Sequence, residues 1–138
     1  MVIRHMKIED KETILRLYHH LSRTYQDNLE SLEMALSHPT TEVFVLEENS
    51  IVIGTATFSD RVVPSKGLVG YIDDAVVDPP YRGKGFGRQL TIHCINLARQ
   101  KGCKFVGLSS DPSRIEANGL YKSLGFEKRE TNVYVLKL

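Results

Sequence analysis

Hydrophobic residues recur along this chain at two spacings, and each spacing predicts a different kind of element. Short runs dominated by apolar and β-branched residues are typical of β-strands. Such runs cover residues 2–6, 43–46, 51–58, 68–77, 105–108 and 131–138. Apolar residues three and four positions apart are typical of amphipathic helices. That spacing covers residues 10–21, 29–36, 85–101 and 111–124.

Residues with known roles at helix ends mark the boundaries of the helical segments. Asp10 is an N-cap candidate for the first helix, and Asp111 or Ser113 can cap the fourth. Pro39 ends the second helix, and Gly102 is a C-cap candidate for the third. The four segments are therefore predicted to be separate helices.

Polar segments separate the remaining elements. Residues 22–28 break the first helical pattern, residues 47–50 make a hairpin turn, and residues 59–67 are predicted to be a loop. The resulting order is β-α-α-β-β-β-α-β-α-β. It predicts an α+β (mixed α/β) fold with one sheet and helices on both faces. A length of 138 residues fits a single domain, residues 1–138, around one sizeable core.

Composition and charge narrow the function classes. Apolar residues make up 41 % and charged residues 25 % of the chain, which is ordinary for a globular protein. The net charge of +1 argues against nucleic acid or a membrane as partner. Cys94, Cys103 and the histidines have no metal-ligand spacing, so no metal is expected. Two unpaired thiols and no signal peptide predict a reducing, cytoplasmic location.

A glycine-rich loop between the strand 68–77 and the third helix carries the strongest functional signal. It alternates glycines with cations: Gly83, Gly85 and Gly87 with Arg82, Lys84 and Arg88. Glycine allows a ligand to approach the backbone closely, and the free N–H groups of a helix N-terminus attract anions. The alternative is a connection with solvated charges, but an ordinary turn needs fewer glycines. The loop therefore predicts a phosphate site.

Two common phosphate motifs do not match this loop. A P-loop needs Ser or Thr after its lysine, and here Gly85 follows Lys84. A dinucleotide fingerprint needs a third glycine where this chain has Arg88. Both nucleotide motifs are thus excluded.

The remaining spacing, Arg82-x-x-Gly85-x-Gly87 after a strand ending Val-Val-Asp-Pro, resembles the acetyl-CoA site of the GNAT superfamily of N-acetyltransferases. A second motif, Ala117-x-x-x-Tyr121-x-x-x-Gly125-Phe126, resembles the family helix that carries a tyrosine near the CoA sulfur. The element order is also similar, and the resemblance covers nearly the whole chain. It implies a mixed, mostly antiparallel sheet and direct acetyl transfer from acetyl-CoA to an amine.

The resemblance also implies a donor site. Backbone N–H groups from Arg82 through Arg88, including Phe86, are expected to hold the pyrophosphate. Backbone groups of Val76 and Val77 are expected to pair with the pantetheine arm, between two strands that splay apart. Their side chains are expected to pack in the core in either case.

Three residues are candidates for proton transfer. By resemblance, Tyr121 donates a proton to the leaving thiolate. The alternative for Tyr121 is packing on an amphipathic helix. Asp73 and Asp74 are adjacent carboxylates in an apolar strand, which is costly unless they are solvated or paired. One is expected to accept the proton of the amine, with a water chain as the alternative, and strand alternation is expected to send them to opposite faces.

One position departs from the family pattern. Many members have Asn seven residues before the tyrosine, where this chain has Arg114, whereas Asn118 lies three residues before it. Arg114 is expected to reach a CoA phosphate or an acidic substrate, and Asn118 to contact CoA. By resemblance, Tyr18, Tyr25 and Asn28 lie in the acceptor wall.

These observations favour an acetyl-CoA-dependent N-acetyltransferase that acts on the primary amine of a small molecule. Two alternatives stay open: an acetyltransferase for protein N-termini or lysines, and a non-catalytic acyl-CoA-binding sensor. A homodimer paired through the last predicted strand is a further expectation.

Overall fold

The chain folds into a five-stranded sheet with helices on both faces. The structure is a computed structural model that describes all of residues 1–138. Its strands are β1 (Val2–His5), β2 (Thr41–Glu48), β3 (Ile51–Val63), β4 (Gly67–Val77) and β5 (Val106–Leu108). Its helices are α1 (Lys11–Tyr18), α2 (Leu29–Ser37), α3 (Phe86–Lys101) and α4 (Ile115–Ser123). Short 3₁₀ turns, Ile8–Asp10 and Pro79–Tyr81, precede α1 and follow β4.

The strands follow one another across the sheet in chain order. Strands β1 to β4 pair antiparallel, and β5 pairs parallel with β4. The connection from β4 to β5 is the crossover through α3 that a parallel pair requires. The expected mixed, mostly antiparallel sheet is therefore confirmed.

Alternate side chains of β2 pack against different helices. Val43 and Val45 lie in a cluster with residues of α1 and α2. Phe44 and Leu46 lie in a second cluster with Leu90, Cys94 and other residues of α3. Because both faces of β2 are covered, its buried residues 43–46 are apolar at every position rather than at every second one.

The two ends of α3 are set by glycines in the left-handed conformation. Gly85 at the N-cap has φ of 85°, and Gly102 at the C-cap has φ of 80°. Both values lie in the left-handed region that favours glycine. The predicted start at residue 85 or 86 and the predicted C-cap are thus correct.

Three boundaries differ from the sequence prediction. The segment 59–67 is not a loop, because β3 and β4 stay paired from Ser59–Tyr71 to Val63–Gly67. The carboxylate of Asp10 accepts the backbone N–H of Lys7 and pairs with Arg4 instead of capping α1. The fourth helix begins at Ile115, after a turn in which Asp111 accepts from Ser113.

The strand predicted over residues 131–138 is not formed. No element follows α4, and five large side chains of this segment are exposed by 79 to 115 %: Val133, Tyr134, Val135, Leu136 and Leu138. A strand needs a paired neighbour, and the segment pairs with no strand of its own chain.

The centre of β4 contains a β-bulge. Thr55 of β3 pairs with Val76, and Thr57 pairs with Asp73. Asp74 and Ala75 therefore both stand opposite the single residue Ala56. The backbone accommodates the extra residue at Asp74, whose φ of 52° lies in the left-handed region.

Strand β5 follows β4 only as far as Ile72, which pairs with Leu108. Beyond that point the edge of β4 from Asp73 to Val77 has no strand beside it. The bulge and the open edge together produce a cleft in the sheet.

Candidate active site

Two adjoining cavities occupy the cleft where β4 and β5 part. The smaller has a volume of about 440 Å³ and lies beside the bulge and the end of β5. The larger has a volume of about 800 Å³ and lies along the glycine loop and α4. Four residues line both and so mark their junction: Leu21, Ala75, Arg114 and Tyr121.

Asp73 and Asp74 both line the smaller cavity. This corrects the expectation that strand alternation sends them to opposite faces. The left-handed backbone of Asp74 breaks the alternation, because the extra residue of a bulge turns the side chains that follow it. The structure therefore brings two carboxylates to one wall.

The surroundings of this carboxylate pair disfavour its ionised form. Desolvation raises the pKa of Asp73 above its ordinary value. Desolvation also raises the pKa of Asp74, and the neighbouring charge of Asp73 raises it further. A carboxylate with a raised pKa is a stronger proton acceptor once it is ionised.

The glycine loop leaves open space over its backbone. Gly83 and Gly85 have φ of 78° and 85°, and a Cβ added at either would meet no atom within 4 Å. Gly87 lies in the first turn of α3, where an added Cβ would be 3.8 Å from Leu120 and from Val77. All three glycines line the larger cavity, next to the free N–H groups of the α3 N-terminus.

The cations of the loop have different surroundings. Nε of Arg82 donates to the Val77 carbonyl at 2.9 Å, and Nη1 of Arg88 donates to Ser123 Oγ at 2.9 Å. Both arginines line the larger cavity, whereas Lys84 does not and lies over the ring of Tyr81 at 5.9 Å. The two arginines thus hold β4 and α4 beside the loop.

Five other residues predicted for the donor site also lie at the larger cavity. Val76, Val77, Phe86, Arg114 and Tyr121 line the larger cavity. The edge of β4 at these valines has no strand beside it, so an extended ligand can pair there, although Arg82 already occupies the Val77 carbonyl.

Tyr121 is buried, with 9 % of its surface exposed. Its ring packs edge-on against Phe126, with centroids 5.9 Å apart. Burial raises the pKa of the Tyr121 phenol, and the charge of Arg114 opposes part of that rise. The phenol is therefore protonated at neutral pH and can donate a proton at the junction of the cavities.

Asn118 has a different position from the one that sequence predicted. It lines neither cavity, and its Nδ2 donates to the carbonyls of Asp111 and Arg114 at 2.9 and 2.8 Å. These bonds tie the first turn of α4 to the segment after β5.

None of the three predicted acceptor-wall residues lines either cavity. Tyr18 is buried and packs edge-on against Tyr25 at 5.7 Å. Burial raises the pKa of Tyr18, and the charge of Asp74 raises it further, so the phenol lies near the carboxylate pair. Asn28 caps α2 by accepting the N–H of Ser31, which leaves its side chain engaged away from the cavities.

Two features of the site were not foreseen from sequence. Arg16 of α1 binds Asp78 with both terminal nitrogens, at 3.2 and 3.1 Å, and so fixes the residue that follows β4. Ser109 and Ser110 line the smaller cavity directly after β5. The serines could have been predicted as site residues, because polar residues directly follow the strand β5 in the sequence. Nothing in the sequence links Arg16 to Asp78.

The arrangement supplies what a group transfer between two small molecules needs. One cavity has a cradle for phosphate, the other has carboxylates that can take up a proton, and a phenol donor stands between them. No group of three or more histidine, cysteine, aspartate or glutamate side chains is arranged to hold a metal ion. No helix has the length and apolar character needed to cross a membrane.

Comparison with protein families matches residues 7–126 to the model described as the acetyltransferase (GNAT) family. A glucosamine 6-phosphate N-acetyltransferase of Trypanosoma brucei brucei is 35 % identical over 92 residues. That match covers 65 % of this chain and only 60 % of the relative's length.

A further relative and a solved structure match the chain over a larger share of their length. An uncharacterized N-acetyltransferase of Bacillus subtilis is 33 % identical over 99 residues, which cover 71 % of this chain and 70 % of the relative. A solved acetyltransferase structure from Trypanosoma brucei superposes with a TM-score of 0.80 and 27 % identity. The superposition covers 99 % of both chains.

Proposed function

Since the chain belongs to the acetyltransferase (GNAT) family, we propose that it transfers an acetyl group from acetyl-CoA to the primary amine of a small molecule. Family membership confirms the resemblance of the two sequence motifs. The observation that carries the proposal is the position of Tyr121. It lines both the larger cavity, which contains the glycine loop, and the smaller cavity, which contains the two carboxylates.

The larger cavity is the proposed donor site. Backbone N–H groups of the glycine loop and of the first turn of α3 bind the pyrophosphate, with Arg82 and Arg88 adding positive charge. The pantetheine arm lies along the open edge of β4 and pairs with backbone groups near Val76. This places the thioester at the junction of the cavities.

The reaction is a direct displacement in which the amine nitrogen attacks the thioester carbon. The C–N bond forms, the C–S bond breaks, and the electron pair of that bond leaves with sulfur. Tyr121 donates its proton to the thiolate. Asp74 or Asp73, or a water chain from them, takes the proton lost by the amine, and exchange with solvent restores both groups.

The acceptor lies in the smaller cavity. Its volume of about 440 Å³ fits a monosaccharide or an amino acid better than a folded protein segment. The trypanosomal relative carries the name of an enzyme for an amino sugar phosphate, which supports an acceptor of this size. The runner-up acceptors are protein N-termini and lysines, and a binding-only sensor is the alternative outside enzymes.

We further propose a second copy of this chain as a partner, in a reducing and cytoplasmic compartment. The exposed segment 131–138 and the unpaired outer edge of β5 support pairing between copies. The free thiols of Cys94 and Cys103 support the compartment.

The proposed function is tested by measuring CoA release from acetyl-CoA with a panel of amino sugars, amino acids, polyamines and N-terminal peptides. We expect release with at least one small amine. Calorimetry with acetyl-CoA completes the test, because binding without any turnover favours the sensor, and absence of binding contradicts the whole proposal.

A further inference from the structure

The smaller cavity is lined by carboxylates and by a single cation. Asp73 and Asp74 lie at the bulge, and Arg114 is the only cation among its eleven lining residues. A third carboxylate, Asp111, accepts both the N–H and the hydroxyl of Ser113. The bulge carboxylates suit an ammonium group, and the arginine suits an anion.

The backbone of Arg114 is fixed at the start of α4, and its exposed side chain forms no ion pair, although it is close enough to Asp111 and Tyr121 for its charge to act on them. Its carbonyl accepts the side-chain amide of Asn118 at 2.8 Å and the backbone N–H of Asn118 at 2.9 Å. Its guanidinium takes part in none of the ion pairs of the chain, which are formed by Arg4, Arg16, Lys101, two histidines and the N-terminus. The other two arginines at the cavities, Arg82 and Arg88, are both hydrogen-bonded.

A second polar group without a partner lies in the same cavity. Ser110 lines it, and the Oγ of Ser110 is buried with no hydrogen-bond partner. A buried hydroxyl without a partner is costly, so it is expected to find one when a ligand binds. Its O–H can donate to an anionic oxygen, as the N–H groups of Arg114 can.

The proposed phosphate site of the donor has two other arginines beside it. The phosphate cradle around Gly83 and Gly85 lies at the loop before α3, with Arg82 and Arg88 beside it. Arg114 instead lies at the junction with Tyr121, where the uncharged end of the pantetheine arm lies in the proposed donor mode.

We infer that Arg114, assisted by the hydroxyl of Ser110, binds an anionic group on the acceptor. The acceptor class is then a primary amine that also carries a phosphate or a carboxylate, with its amine toward Asp73 and Asp74. This inference rests on the proposed function for the reaction, but not for the binding of the anion.

The test compares matched acceptors that differ only in the anionic group. One pair is glucosamine 6-phosphate and glucosamine, and the other is serine and serinamide. We expect the wild-type enzyme to prefer the anionic member of one pair by about tenfold or more in kcat/KM. Which pair shows the preference distinguishes phosphate from carboxylate.

The Arg114→Gln variant is expected to reduce that preference by about tenfold or more, and Arg114→Lys to restore part of it. Arg99→Gln is the matched control, because Arg99 is exposed on α3 and bonds only Asn96. It is expected to keep the wild-type preference. Calorimetry of the CoA-loaded protein with glucosamine 6-phosphate and with serine gives the same comparison without turnover.

Two results overturn the inference. One is a wild-type enzyme that neither prefers nor binds the anionic member of either pair. The other is an Arg114→Gln variant that keeps the preference and raises only the KM of acetyl-CoA, which assigns Arg114 to the donor. Loss of anion binding in this variant with no acetylation of any amine supports the inference and contradicts the proposed function.

Discussion

Tyr121 is the residue on which the proposed proton donation depends. Its phenol is buried and has a raised pKa, so it stays protonated over the neutral range. We expect Tyr121→Phe to lower kcat roughly 10²-fold, since general acids contribute on that order. Acetyl-CoA affinity is expected to change little, because the ring still packs on Phe126. Steady-state kinetics and calorimetry measure the two effects.

Tyr134→Phe is the matched control for this substitution. Tyr134 is 88 % exposed and lies in the segment after α4, away from both cavities. It should retain wild-type kcat. An unchanged kcat in Tyr121→Phe rules out the acid role of Tyr121.

The carboxylate pair predicts a pH effect whose direction is fixed by its electrostatics. Loss of activity at low pH follows protonation of the base, and the pKa of Asp74 is raised by burial and by the charge of Asp73. Asp73→Asn removes the second cause, so we expect the acid limb of kcat/KM to move to lower pH. Asp74→Asn is expected to lower kcat/KM at all pH values. A fixed acid limb in Asp73→Asn, with activity kept in Asp74→Asn, favours a water relay.

The stability of Asp74→Asn provides an independent check on the same carboxyl. A carboxyl whose pKa is raised on folding favours the folded state at low pH, and this contribution is lost as the pH rises through the folded pKa. Asparagine tolerates the left-handed φ of 52° at this position. We therefore expect the free energy of unfolding of the variant, relative to wild type, to increase as the pH is raised from acid to neutral. Denaturant unfolding at several pH values measures this difference. A difference independent of pH contradicts the raised pKa.

At the scale of elements, the turn from β4 into α3 has glycines for two physical reasons. Gly85 requires the left-handed region, whereas Gly87 is helical and provides space. We expect Gly85→Ala to destabilise the fold by about 1–2 kcal/mol through backbone strain. Gly87→Ala is expected to weaken acetyl-CoA binding about tenfold or more without loss of stability, since alanine favours a helix.

Thermal unfolding and calorimetry separate these two effects, and each variant serves as the control for the other. If Gly87→Ala binds acetyl-CoA as tightly as wild type does, the first turn of α3 does not contact the donor. If Gly85→Ala is as stable as wild type, the left-handed backbone is not needed there.

The active-site elements are also joined by long-range polar contacts. Arg16 links α1 to Asp78 after β4, and Arg88 links α3 to Ser123 of α4. Asn118 ties the start of α4 to the segment after β5. The first two contacts join residues 62 and 35 positions apart, so spacing within the sequence could not predict them.

At the scale of the whole molecule, the segment 131–138 exposes apolar side chains that no element of its own chain covers. Its apolar side chains are exposed, and β5 has a free outer edge. We expect the protein to have about twice the 15.6 kDa mass of one chain in light scattering. Val135→Pro removes a backbone N–H from the segment and is expected to give a monomer.

Val135→Thr is the matched control, because threonine keeps the strand preference and the backbone donor. It should remain dimeric. A wild-type protein that is monomeric at all concentrations tested contradicts pairing between copies.

Much of the fold could be predicted from periodicity and from residues at element ends. The runs in β2, β3 and β4 and the glycines around α3 identified their elements closely, because apolar patterning and left-handed glycines act locally. The last strand was predicted wrongly by the same reasoning. Apolar alternation shows that a segment can pair, but not that a partner strand lies within reach.

The sequence by itself determined the strands, the glycine loop and the order of the two motifs, because these depend on neighbours in the chain. Only the tertiary structure decided that Asp73 and Asp74 share one wall, since this depends on a bulge formed against β3. It also decided that Arg114 and Tyr121 stand where the two cavities meet. Bulges and junctions arise from the register between distant strands, which no local pattern specifies.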